Sequence, residues 1–227
     1  MDISKNSVAR AALKCLSHGK IIGIGSGTTI HRLISLLPES GLSNLKVVPT
    51  SLDTLNRLQS NPQKNYEIIE LPDNGLDITI DGADRVNPEK QALKGGGGAL
   101  TREKIVREAS KKFILIVNNN KVIPKLGGFP IAVEIIPFGW KHTVRRLGSL
   151  TGNAKVRIAH NKLGPVISDN NCYIVDIDLG NRTLDPIEVS ELEQSINEIP
   201  GVIENGLFSH PADKVIVGYP SGKITSY

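Results

Sequence analysis

Residues 77–104 read DITIDGADRVNPEKQALKGGGGALTREK and hold the side chains of this chain best placed to carry a reaction. Asp81 and Asp84 stand three apart across a Gly82-Ala83 step, at the end of the β-branched run Ile78-Thr79-Ile80. Lys94 precedes four consecutive glycines, Gly95 to Gly98, and Glu103 follows near the start of a segment with helical pattern. Four glycines remove every side chain over their length and permit positive φ, so backbone N–H groups can approach a ligand directly. An isolated glycine run reads as a linker or a tight turn. This one is flanked by two aspartates, a lysine and a glutamate, and it runs into a helix N-terminus, which favours anions. The set suits proton transfer alpha to a carbonyl. That chemistry needs a base for the C–H proton, donors for the developing enediolate, and groups that move protons between oxygens. Glu103 serves as the base, shuttling a proton between adjacent carbons without a metal or cofactor. Lys94 and the N–H groups of Gly95, Gly96 and Gly97 stabilise the oxyanion. Asp81 and Asp84 orient hydroxyls or open a cyclic sugar.

The elements around this stretch alternate between strand and helix patterns. Val8, Ala11, Ala12 and Cys15 or Leu16 have helical spacing, and Gly19 ends that segment. Ile21 to Gly25 reads as a buried strand breaking into Ser26-Gly27-Thr28-Thr29, after which Ile30, Leu33, Ile34 and Leu37 mark a helix that Pro38 closes. Strands follow at Lys46 to Pro49, Glu67 to Leu71, Leu76 to Ile80 and Phe113 to Val117, with helices marked by Leu52, Leu55 and Leu58 and by Ile105, Val106 and Ala109. This is an α/β pattern: a Rossmann-like, mainly parallel sheet with helices on both faces. Ligands bind such sheets at the strands' carboxyl ends. The Ser26 turn, Asp81 with Asp84, and Asn118 to Lys121 all lie at strand ends. After Gly127-Gly128 the pattern becomes α+β: strands at Ile131 to Ile136, Ala154 to Ile158, Pro165 to Ile167 and Tyr173 to Ile177, helices at His142 to Leu150 and Ile187 to Ile196, and a strand from Gly201. The expected division is 1–128 with 206–227, and a smaller domain over 129–205. Val215 to Val217 returns to the main sheet as an edge strand.

Several function classes fall away. The GIGSGTT turn has Gly23 and Gly25 of a dinucleotide fingerprint, but Thr28 stands at the third glycine position and no acid closes the second strand. There is no GxxxxGK[ST] pattern and no GxSxG, and the five histidines are scattered without ligand spacing. The turn still offers N–H and O–H donors suited to one phosphate or a sugar hydroxyl. A net charge of +4, interspersed with acids, is no nucleic-acid footprint, though it helps to attract a phosphorylated metabolite. Cys15 and Cys172 are far apart, no apolar run is long enough for a membrane span, and no signal peptide is visible, so a reduced, cytoplasmic protein is expected.

Taken together, GIGSGTT, DGADRVNP and LKGGGGALTREKI resemble the type A ribose-5-phosphate isomerase family, with FPIAVEIIP, LDP, IPGV and GLF also similar. The resemblance covers nearly the whole chain. It implies interconversion of D-ribose 5-phosphate and D-ribulose 5-phosphate through an enediol, in the pentose phosphate pathway, with no cofactor. On matching positions Glu103 is the proton acceptor, and Asp81, Asp84 and Lys94 line the reacting end of the sugar. Ser26, Gly27, Thr28, Thr29, Asp81, Gly82, Ala83, Asp84, Lys94, Gly95, Gly96, Gly97, Lys121 and Lys5 bind substrate. The resemblance further implies a Rossmann-like domain, a smaller ferredoxin-like α+β domain, and a homodimer or dimer of dimers. Two positions depart from the family pattern: Asn118-Asn119-Asn120 replaces D-x-S before Lys121, and Arg85 follows DGAD where an acid is common. Sugar-phosphate-sensing domains of bacterial transcription regulators share this type of fold. They carry a DNA-binding segment ahead of the sensor, whereas one helix fits before the first strand here, and Glu103 with Lys94 favours the enzyme.

Overall fold

The apolar run at Ile21–Ile24 forms strand β1, next to the central strand of a seven-stranded sheet in a computed structural model that describes residues 2–227. Leu45–Pro49 (β2), Tyr66–Ile68 (β3), Ile78–Asp81 (β4), Phe113–Asn118 (β5), Lys214–Gly218 (β10) and Ile224–Ser226 (β11) complete it in the order β11-β10-β5-β4-β1-β2-β3. Every neighbouring pair is parallel except β10 with β11. Alternation along the strands explains why both faces are covered. Ile22, Ile24 and Val47 pack with Val8, Ala9 and Ala12 of helix α1 (Ile3–Leu13) and Ile30 and Leu33 of α2 (Thr28–Leu36). Ile21 and Val48 point the other way, to Val106 of α4 (Leu100–Glu108). Helix α3 (Leu52–Gln59) starts on Ser51, whose hydroxyl accepts from the Thr54 N–H.

Two spans differ from the sequence expectation. Val215 to Val217 lies one strand in from the edge, because β11 pairs antiparallel beyond it. Ile224-Thr225-Ser226 is short and largely exposed, so it has no apolar run to announce it. Pro165 to Ile167 is no strand. Only isolated bridges form, Ile158 to Pro165 and Ile167 to Tyr173, since proline has no N–H to continue a ladder.

The chain divides into two units. The first comprises the chain through Ala83, Arg102–Val122 and Ala212–Tyr227; the second is Asp84–Thr101 with Ile123–Pro211. Residues 84–101, 123–128 and 206–211, grouped with the larger domain on sequence grounds, therefore cluster with the second unit. That unit carries Ile131–Ile135 (β6), α5 (Trp140–Thr151), Ala154–Val156 (β7), Tyr173–Ile177 (β8), α6 (Pro186–Asn197) and Val202–Asn205 (β9). This βαββαβ sequence, with strand order β7-β8-β6-β9 and antiparallel pairing throughout, is the ferredoxin-like arrangement. Its core gathers Ile131, Val133, Ile135, Val175 and Ile177 against Leu147, Val189 and Ile196. Asp185 and Glu188 form a capping box at the start of α6, with Pro186 in the first turn. A three-stranded strip, Arg85–Val86, Ala92–Leu93 and Leu207–Phe208, completes the unit's framework.

The central sheet is tied at its amino end by Asp77. Its carboxylate accepts from the Ile21 N–H at 3.1 Å and faces the Lys111 and Lys20 ammonium groups at 3.1 and 3.5 Å. The Ile21 bond first, then the lysines, hold the Asp77 carboxyl below the usual carboxylate range. A depressed folded pKa means that the stabilisation is complete above the unfolded value of about 3.9 and is lost as pH falls through the lower folded value. Asp77→Ala is expected to destabilise the protein by about 1 kcal/mol at neutral pH. Urea titrations at stepwise lower pH should show that deficit shrinking below pH ~4. A deficit independent of pH would mean that side-chain packing rather than charge is responsible.

Candidate active site

β1 and β4 lie side by side, and the sheet grows in opposite directions from this pair, β2 and β3 on one side, β5 and β10 on the other. That is a topological switch point, where open α/β sheets hold ligands at the carboxyl ends of the strands. Asp81 occupies it and is fully buried. Its Oδ1 accepts from the Ser26 N–H at 3.1 Å and the Gly82 N–H at 2.7 Å. A Cβ on Gly25 would sit 1.8 Å from that oxygen, so a side chain there and the carboxylate exclude one another. Gly27, at φ 99°, turns the chain into α2, which opens on Thr28 and Thr29.

Ser26 is held by hydroxyls that sequence reading did not select. Thr54 Oγ1 donates to the Gly25 carbonyl at 2.7 Å, Ser51 Oγ donates to Thr54 Oγ1 at 3.0 Å, and Ser26 Oγ donates to Ser51 Oγ at 2.9 Å. Thr50 Oγ1 lies 3.1 Å from Ser26 Oγ. Each hydroxyl has one proton to give, so the chain has a direction and the Ser26 proton is committed to Ser51. Thr50 and Ser51 follow β2 directly, where the dinucleotide pattern calls for an acid.

Lys121 follows β5 in a short 3-10 turn, and its Nζ donates to the Ala83 carbonyl at 2.7 Å, which places it against the Asp81–Ala83 loop. Ser4 Oγ donates to Asn118 Oδ1 at 2.9 Å, so this asparagine fastens the first turn of α1 to the end of β5. Lys5 is the next residue, and its ammonium lies 3.4 Å from Asp2, the N-cap of the same helix. Glu103 is buried in the first turn of α4. The first unit thus gathers Ser26 to Thr29, Asp81 to Ala83 and Lys121 at the carboxyl edge of its sheet.

The second unit assembles the remaining group. Asp84 donates its N–H to Leu93 O at 2.8 Å, and its Oδ2 accepts the Gly96 N–H at 2.8 Å. Of the three glycine N–H groups expected to meet an oxyanion, that of Gly96 is therefore engaged by Asp84, because the strand pairing Arg85↔Leu93 brings the two segments together. Lys94 is buried, donates its N–H to Gly206 O at 2.8 Å, and holds its ammonium 5.6 Å from the centre of the Phe208 ring. A Cβ on Gly206 would lie 2.2 Å from the Lys94 carbonyl. Gly206 and Phe208 are the GLF segment, whose support of Lys94 no local pattern indicates. Glu134 is a further unselected residue. Fully buried in β6, it accepts from Thr101 Oγ1, Ser168 Oγ and Asn170 Nδ2, and so anchors the first turn of α4 two residues before Glu103. A lone acid inside the apolar run FPIAVEIIP was its signal. Among the described residues no three His, Cys, Asp or Glu side chains are grouped to hold a metal ion, and no helix is long and apolar enough to cross a membrane.

The family model for ribose 5-phosphate isomerase A (phosphoriboisomerase A) matches residues 46–222. This chain belongs to that family. The isomerase A of Thermosynechococcus vestitus is 40% identical over 94% of this chain and 90% of its own length, and that of Archaeoglobus fulgidus 39% identical over 96% of each. Among solved structures, ribose 5-phosphate isomerase A from Methanocaldococcus jannaschii superposes with a TM-score of 0.87 at 36% identity, covering 98% of this chain and 97% of that one. A D-ribose-5-phosphate isomerase in complex with phospho-erythronic acid gives 0.90 at 36% identity, covering 99% and 97%.

Within this isomerase A chain, the replacement of D-x-S by three asparagines leaves Lys121 in contact with the loop that bears Asp81 and Asp84. Lys121→Ala is expected to raise KM more than it lowers kcat, since a lysine is a point charge suited to holding an anion. Steady-state kinetics will check this. A large fall in kcat at unchanged KM would give Lys121 a chemical role.

Proposed function

We propose that this protein interconverts D-ribose 5-phosphate and D-ribulose 5-phosphate through an enediol, and that it does so without a metal or redox cofactor. The observation that carries the reading is the family match over residues 46–222, which includes Asp81, Asp84, Lys94 and Glu103 unchanged from the DGAD and KGGG-A-LTREK patterns. Glu103 takes the proton from C2 and returns it to C1. Lys94 and the N–H of Gly97 offset charge on the enediolate oxygen, where preorganised donors count most. Asp81 and Asp84 assist ring opening and move protons between oxygens. Ser26 to Thr29 and Lys121 take the phosphate and adjoining hydroxyls, with Lys5 on the first turn of α1 as a further cation. The relative solved with phospho-erythronic acid, a phosphorylated sugar acid, supports a sugar phosphate as the ligand class. Assembly as a homodimer or a dimer of dimers, in the cytoplasm, completes the proposal; light scattering on the purified chain tests the assembly.

The deciding experiment is a coupled assay for ribulose 5-phosphate formed from ribose 5-phosphate, run before and after exhaustive treatment with EDTA. Equal turnover in both is expected. Ligand binding without turnover would favour a sensing domain, and activity lost to EDTA and restored by a divalent ion would overturn the metal-free mechanism.

A further inference from the structure

Arg157 lies just past β7 and spans two partners within the second unit. Its Nε donates to Asp176 Oδ2 at 2.8 Å and its Nη2 to Asp176 Oδ1, a two-pronged seat that fixes the guanidinium plane. The remaining Nη1 donates to two backbone carbonyls of the glycine loop, Gly95 O at 3.0 Å and Gly96 O at 3.1 Å. Both peptides are trans, and in a trans peptide the N–H points opposite to the C=O. Holding the carbonyls of Gly95 and Gly96 therefore turns the N–H groups of Gly96 and Gly97 to the side away from Arg157. The Gly96 N–H meets Asp84 there. Gly97 is exposed, and its N–H has no acceptor among the described residues. The Gly95–Gly96 peptide is also held by the Gly98 N–H on Gly95 O at 3.0 Å and by Asp84 on the Gly96 N–H, whereas the Gly96–Gly97 peptide, with no side chain on either residue, is otherwise weakly restrained.

We infer that Arg157, seated on Asp176, is a positioning residue for the isomerisation: it sets the rotation of the Gly96–Gly97 peptide and so presents the Gly97 N–H to the developing enediolate. The inference rests on the functional reading above. Lysine at 157 keeps a charge but supplies no planar fork, so it cannot hold Asp176 and both carbonyls in one geometry. The test compares wild type, Arg157→Lys and Asp176→Asn in turnover and in affinity for two inhibitors. Phospho-erythronic acid carries a carboxylate at the reacting end, and erythritol 4-phosphate carries a neutral CH₂OH there.

For Arg157→Lys, kcat and phospho-erythronic acid affinity should fall together, on the order of 10²-fold for donors misplaced by about 1 Å. Affinity for erythritol 4-phosphate should change little. Asp176→Asn, which keeps Arg157 itself, should show the same pattern more weakly, and it serves as the reading if Arg157→Lys does not fold. Equal weakening of both inhibitors, or a lower melting temperature with unchanged kcat, would make Arg157 a structural residue and overturn the inference. A wild type that turns over normally beside unaffected variants rejects the positioning role alone. A wild type without turnover rejects the functional reading and this inference with it.

Discussion

Glu103→Gln is expected to lower kcat by about 10²–10⁴-fold or more while the fold stays intact and a sugar-phosphate inhibitor still binds. Glutamine keeps the shape and hydrogen-bonding reach of the side chain but cannot accept the substrate proton. Exchange of the C2 proton of ribose 5-phosphate with solvent, followed by NMR in heavy water, should fall in parallel. The competing explanation is that Glu103 sits in the first turn of α4 for stability, where an acid gains roughly 0.3–1 kcal/mol from the helix dipole. Near-normal kcat with a lower melting temperature would establish that explanation and move the search for the base to Asp81. Burial of Glu103 argues against a purely stabilising surface acid.

Gly25→Ala is expected to be nearly as damaging, by a different route. The added methyl would lie 1.8 Å from Asp81 Oδ1 and 2.0 Å from its carboxyl carbon. One of the two must move, and Asp81 is pinned between the Ser26 and Gly82 N–H groups, so β1 and β4 are pushed apart or the carboxylate leaves its donors. Overpacking of this kind costs about 1–3 kcal/mol. Displacing a reacting group by about 1 Å costs on the order of 10²-fold in rate. Gly148→Ala, within α5 of the second unit and outside the proposed site, is the control, since nothing lies within 4 Å of its added Cβ. Thermal melts and kcat should separate the two substitutions clearly. If Gly25→Ala retains wild-type stability and rate, Asp81 is not held as described.

The first unit was readable in the sequence because its elements are local and periodic. Isoleucine and leucine at helical spacing mark α2, and the unbroken run Phe113 to Val117 marks a strand buried on both faces. The candidate site residues stood out for a different reason, since a glycine run between charged residues has no ordinary structural use. What escaped depends on contacts between distant segments. Residues 84–101 belong with the second unit because Ala92–Leu93 pairs with Leu207–Phe208 far along the chain, and nothing near Leu93 announces that partner. The same pairing brings Gly206 and Phe208 to Lys94, and the β6–β8 pairing sets Asp176 opposite Ala132, behind Gly95. Thr50, Ser51 and Thr54 belong to no sequence motif; Ser51 caps α3, and the directed chain of hydroxyl protons that starts at Ser26 appears only when β1 and β2 are paired.

The position of β10 beside β5 also has a bearing on synthesis. β5 obtains its partner on one side, β4, from residues already made, but its partner on the other side is Lys214–Gly218. Ribosomes must therefore add residues 119–213 before that flank can be paired, on the order of ten seconds at about 5–20 residues per second. Phe113 to Val117 is the most apolar strand in the chain, and an unpaired edge of that kind templates association with other chains. Until Lys214–Gly218 emerges, that flank of β5 lacks its native partner.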